Sequence, residues 1–113
     1  MKKIVKIGGK EYTLKSSAYT QFKYRNDTGH KLLDDIQKIS KLIEAPEEEQ
    51  ISQMDDIIDL ILRIAYIMIL EADEKQVSTY ESFLKGIENL FSDDDNWAKE
   101  IIELASSPFS GGV

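Results

Sequence analysis

Residues 2–15 read KKIVKIGGKEYTLK. Two short runs that alternate in polarity flank a pair of glycines. Glycine takes the positive φ angles that a two-residue hairpin turn demands. Gly8 and Gly9 therefore predict a turn with Ile7 opposite Lys10, Lys6 opposite Glu11 and Val5 opposite Tyr12. Side chains alternate across a strand, so Val5, Ile7, Tyr12 and Leu14 share an apolar face, and Lys6, Glu11 and Thr13 share a wet one. A lone hairpin is marginal in water. Its apolar face must lie on something, and the helical core of its own domain is the simplest partner. Pairing of one hairpin edge with a partner's strand is a second use that the sequence leaves open. The run is no phosphate loop, because Lys10 leads into a strand rather than a helix.

Everything after the hairpin has helical spacing. Ser16 and Ser17 predict a cap for a short helix, AYTQFKYRNDTG, with Tyr19 and Phe22 facing in, Tyr24 pointing elsewhere and Gly29 as the stop. In the next stretch Leu32, Leu33, Ile36, Ile39, Leu42 and Ile43 form the apolar stripe, and Asp34, Asp35, Lys38 and Lys41 take the other side. Pro46 closes that helix, and the glutamates of APEEEQ suit the start of the next. A long third helix over residues 48–72 is expected, amphipathic at Ile51, Met54, Ile57 and Ile58 and apolar on nearly every face beyond. Ser78 with Glu81 predicts a capping box for a fourth helix carrying Tyr80, Phe83, Leu84, Ile87, Leu90 and Phe91, with Gly86 inside it. Asp94 or Asp95 would cap a last helix with Trp97, Ile101, Leu104 and Ala105 inward and Pro108 as its stop. The expected fold is α+β and mainly helical: an N-terminal two-stranded β-hairpin packed on a bundle of four to five helices. One domain over residues 1–106 and a flexible tail over residues 107–113 are expected.

Composition narrows the function. The chain has 113 residues, a net charge of −7 and no cysteine. An acidic chain has no excess of cations to displace the counterions of a nucleic acid, so no nucleic-acid partner is expected. Disulfides and thiolate metal sites are excluded. The N-terminus has no apolar stretch behind its lysines and is not a signal peptide. Residues 57–70, IIDLILRIAYIMIL, are too short for a span and hold Asp59 and Arg63, so they read as a buried helix and no membrane is expected. Their apolar coverage exceeds one stripe, which predicts a central helix or reversible self-association.

Reactive constellations are missing. His30 is the sole histidine and stands at a helix start. No serine sits in a nucleophile-elbow context. Adjacent aspartates at 34–35, 55–56 and 93–95 point about 100° apart on a helix and lack the glycine and spacing of a hard-cation loop. No enzyme, cofactor or metal site is expected. Tyrosine on a surface suits protein contacts, and Tyr24, which points away from Tyr19 and Phe22, reads either as such a contact or as a half-buried residue at the helix edge.

The order of KIGGKEYTLK, the serine pair, YTQFKYRNDTGHKLLDDI and a late DDNWAKEIIEL resembles the tail assembly chaperones of long-tailed bacteriophages of Gram-positive hosts. The matching stretches are residues 9–14, 22–36 and 97–104, about a third of the chain in motif and most of it in layout. The resemblance implies a non-enzymatic, mainly helical assembly factor that binds the tape measure protein and helps recruit major tail tube protein subunits. It implies residence in the cytoplasm of the bacterial host and absence from the mature virion. It supplies no catalytic residues. Physical argument places the interaction surface on Tyr12 of the hairpin, on Lys23, Tyr24 and Arg25 of the first helix, and on Arg63 and Tyr66 of the long helix. The competing class is a small acidic regulatory protein, a phage- or plasmid-encoded inhibitor of a host protein.

Overall fold

The computed structural model describes residues 1–90 and 96–110. Strands β1 (Lys2–Ile7) and β2 (Lys10–Lys15) precede α1 (Ala18–Thr28), α2 (Leu32–Ile43), α3 (Glu47–Ser52), α4 (Met54–Ala72), one 3-10 turn (Glu74–Gln76), α5 (Tyr80–Lys85) and α6 (Trp97–Ser110). The fold is α+β, a two-stranded antiparallel hairpin packed on a helical bundle. The register is the expected one, with Ile7 opposite Lys10, Lys6 opposite Glu11 and Val5 opposite Tyr12. Val5, Ile7, Tyr12 and Leu14 are all buried.

Helix α4 is the post around which the rest is built. It touches β2, α1, α2, α5 and α6. Ile57, Leu60, Ile61, Leu62, Ile64, Ala65, Ile67, Met68 and Ile69 are buried along it. Its apolar coverage is therefore used inside the chain. Ile58, Tyr66 and Leu70 remain half-buried, so less apolar surface is left over for self-association than the sequence pattern suggests. Among the described residues no helix is long and apolar enough to cross a membrane.

The glycine turn is needed twice over. Gly8 and Gly9 have φ of 60° and 90°, the pair of positive angles of a type I′ turn. A Cβ on Gly8 would also lie 2.6 Å from Ile87 Cγ2 and 3.0 Å from the Asn89 carbonyl oxygen. Asparagine is ordinarily welcome at the first turn position. Here Gly8→Asn is expected to cost about 1–2 kcal/mol in a urea titration, because the neighbouring chain must shift. Combining it with Ile87→Ala should recover most of that loss beyond what Ile87→Ala costs by itself.

Four helix boundaries differ from expectation. The long helix is two helices, broken at Gln53 with φ −104° and ψ 6°. Helix α3 buries no residue, so no packing holds it on the axis of α4. Instead Gln50 Nε2 donates to the carbonyls of Ile43 and Ala45, which ties α3 to the end of α2. Thr79, not Ser78, caps α5, accepting from the Ser82 N–H at 3.0 Å. Tyr80 fixes that start, since its hydroxyl donates to Asp59 Oδ1 at 2.9 Å. Helix α5 then ends at Lys85, with Gly86 as its C-cap and not an interior residue. The chain leaves the helix so that Ile87 can pack on the hairpin turn.

Pro108 does not stop α6, which runs on to Ser110. Proline has no N–H for the carbonyl four residues back, here that of Leu104. The Ser107 hydroxyl donates to that carbonyl at 2.7 Å instead. Trp97, Ile101, Leu104 and Ala105 are buried as expected. The expected cap at Asp94 or Asp95 and the stripe residue Phe91 lie outside the described residues.

Candidate interaction surface

The rotation of α1 decides what this protein shows to solvent. Ser17 caps the helix in a capping box with Thr20. Both hydroxyls also donate to one carboxylate on α4: Ser17 Oγ to Glu71 Oε1 and Thr20 Oγ1 to Glu71 Oε2, each at 2.5 Å. One turn further, the buried Tyr24 hydroxyl donates to Asp35 Oδ2 on α2. Thr20 and Tyr24 thus face inward. At roughly 100° per residue they lie about 40° apart, and Phe22 falls on the opposite side of the helix.

This reverses the expected orientation. Tyr24 is 1% exposed, whereas Tyr19 and Phe22 are 59% and 63% exposed. Three hydroxyl contacts to acidic side chains, two to Glu71 and one to Asp35, hold the helix against the pull to bury two aromatic rings. Asp35 is likewise buried rather than on a solvated face, while Leu33 and Ile43 of the expected α2 stripe are exposed. His30 Nδ1 lies 3.6 Å from Asp35 Oδ2, an ion-pair contact whenever the ring is protonated. Burial, and then the hydrogen bond to Asp35, push the Tyr24 hydroxyl pKa well above its ordinary value.

Tyr12 is also buried, with Phe83 edge-on at 5.4 Å and Lys10 over its ring at 5.4 Å. Neither Tyr12 nor Tyr24 is available to a partner in this fold. Lys23 is half-buried and paired to Asp27 at 3.1 Å. Arg25 is exposed and has no ion pair among the described residues. Arg63 and Tyr66 lie apart from Arg25, in a hollow shared with Asp27, Thr28 and Tyr80. Arg63 packs over the Tyr80 ring at 5.6 Å. Its Nε lies 3.2 Å from Asp59 Oδ2, an ion pair whose N–H is not aligned for a hydrogen bond.

The surface that sequence reasoning missed is built on Phe22. A depression of about 250 Å³ runs between α1, α2 and the end of α6, lined by Phe22, Leu33 and Phe109 with Arg25, Lys31, Gln21 and Asp34. A shallower one continues past Phe22 to Tyr19, Lys23 and Asn26. Leu33 and Phe109 are 42% and 38% exposed. Tyr19, Phe22, Leu33 and Phe109 thus make an exposed apolar strip with Lys23, Arg25 and Lys31 along its rim. Among the described residues no cluster of three or more potential ligands could hold a metal; the triplet at residues 93–95 lies outside them.

No family model matches the chain, and no curated protein or solved structure matches it. The chemistry of this surface carries the functional reading.

Proposed function

We propose that the chain is a non-enzymatic phage tail assembly chaperone. It would hold an apolar seam of the tape measure protein in the cytoplasm of the bacterial host until tail tube subunits replace it. The observation that supports this most is the exposed strip of Tyr19, Phe22, Leu33 and Phe109 beside Arg25 and Lys31. Monomers seldom leave several large apolar side chains together in solvent without a use for them. The net charge of −7 would keep a complex with an apolar client in solution.

The test is co-expression with a tape measure protein encoded beside it. The client should stay soluble and co-purify. Phe22→Ala should weaken capture at least tenfold, as expected for an aromatic anchor at the centre of an interface. The same change should leave the unfolding free energy from a urea titration within about 0.5 kcal/mol of the parent, because an exposed side chain adds little to stability. A client equally soluble without this protein, or a Phe22→Ala variant that captures as well as the parent, would remove the assignment.

A further inference from the structure

The two edges of the hairpin are not equivalent. Residues of β1 alternate between pointing their N–H and C=O at β2 and pointing them away. Met1 exchanges both of its groups with Ser16, at 2.8 and 2.9 Å. Counting on through the register, Lys3, Val5 and Ile7 also point inward, and Lys2, Ile4 and Lys6 point outward. On β2 the outward residue opposite Ile4 is Thr13. Its N–H donates to Gln76 Oε1 at 2.8 Å and its C=O accepts from Gln76 Nε2 at 2.9 Å. A single glutamine side chain thus occupies the middle of the β2 edge as a strand would.

Among the described residues the β1 edge has no such plug. No hydrogen bond to the outward groups of Lys2, Ile4 or Lys6 is present among the described residues. All three residues are exposed, and Ile4 at the centre is 63% exposed. An open edge with an apolar centre is a template for another strand. The flanking lysines decide which strand. A second copy of β1 in antiparallel register about Ile4 would set Lys2 against Lys6 at both ends, which like-charge repulsion opposes. The second copy's β2 edge is plugged. A strand with carboxylates at the two positions flanking an apolar residue, spaced two apart, would answer both lysines and cover Ile4.

We propose that the β1 edge is a docking site for an extended, acidic segment of a partner protein, of the alternating pattern acid–x–apolar–x–acid, bound antiparallel as a third strand. Repulsion opposes the protein's own strand in the register about Ile4, and the same two charges favour an acidic partner. This site is separate from the strip around Phe22 and does not depend on its assignment.

The probe is a synthetic eight-residue peptide with the core Glu-Thr-Val-Thr-Glu, compared with versions carrying Gln or Lys in place of both Glu. Amide hydrogen exchange of the full chain is followed by NMR. In the free protein the amides of Lys2, Ile4 and Lys6 should exchange fast while those of Val5 and Ile7 are protected. The Glu peptide should slow those three, bind roughly tenfold tighter than the Gln peptide, and weaken as salt is raised. The double variant Lys2→Glu, Lys6→Glu should reverse the preference in favour of the Lys peptide. Ile4→Pro should abolish binding, since it removes an outward N–H and leaves the ladder to β2 whole. Circular dichroism checks that this variant is folded, and the charge-reversal variant stands if it is not. The proposal is overturned if the three amides are already slow in the free protein, if protection appears at Thr13 instead, or if the peptides bind alike whatever their charge.

Discussion

Tyr24→Ala is expected to lower the unfolding free energy by about 3–5 kcal/mol, the usual cost of emptying a buried aromatic site. The ring is 1% exposed, so little relaxation is available to refill the space. The change also strips Asp35 of the hydroxyl that satisfies it, and a buried carboxylate without its donor adds to the loss. A domain of this size is stabilised by only about 5–15 kcal/mol, so the variant should be partly unfolded near body temperature. Tyr24→Phe keeps the ring and isolates the hydroxyl, at about 1–3 kcal/mol. Urea titrations followed by the fluorescence of Trp97 would measure both. A Tyr24→Ala variant as stable as the parent would show that α1 is rotated differently, and would return Tyr24 to the surface.

The same residue gives the protein an alkaline limit. The Tyr24 hydroxyl has its pKa raised above the ordinary 10.0, and Tyr80 is raised too, by burial first and the bond to Asp59 next. Below pH 10 the folded and unfolded states both keep these protons. Above it the unfolded chain releases them while the folded chain does not, so stability falls as pH rises. Tyr24→Phe should flatten that fall.

Phe83→Ala should cost a similar amount, about 3–5 kcal/mol. Phe83 is the only buried residue of α5. Tyr12 stands edge-on to it at 5.4 Å, and the rings of Tyr66 and Tyr80 are 6.0 and 6.3 Å away. A six-residue helix cannot persist unaided, so losing its one buried side chain should release α5 as a unit. Phe83→Leu retains most of the volume and should cost under about 1.5 kcal/mol. Hydrogen exchange of the α5 amides would separate the outcomes. Unchanged protection in Phe83→Ala would mean that the Thr79 cap and the Tyr80 bond to α4 hold the helix without it.

The parts of the fold governed by near neighbours could be read directly. The hairpin register follows from two glycines and a period of two, and the Ser17 and Gly29 boundaries of α1 follow from their own backbone chemistry. The inward faces of α4 and α6 follow from dense apolar spacing. What failed was set by groups distant in sequence. Glu71 lies 54 residues from Ser17 and 51 from Thr20, so nothing near α1 announces that its hydroxyls have a carboxylate to meet. Without that acceptor, Tyr19 and Phe22 are the natural inward pair, and the interaction surface is assigned to the wrong ring. The break at Gln53 is a nearer effect, accompanied by Gln50 reaching back only seven and five residues to Ile43 and Ala45, and a period of 3.6 carries no sign of it. Only Thr20 and Tyr24, four apart and both able to donate, hinted at the true inward face.

The packing of β2 on α4 sets a timetable for synthesis. The hairpin is translated first, but the helix that covers it is complete only at Ala72. At about 5–20 residues per second, Val5, Ile7, Tyr12 and Leu14 wait roughly 3–12 s for their cover. On a crowded messenger RNA, neighbouring ribosomes carry identical hairpins in the same half-finished state. Like charge at Lys2 and Lys6 on β1 opposes pairing between those siblings during the wait. Nascent chains halted before residue 54 should therefore aggregate more readily with both lysines changed to glutamine, even where the finished protein is equally stable.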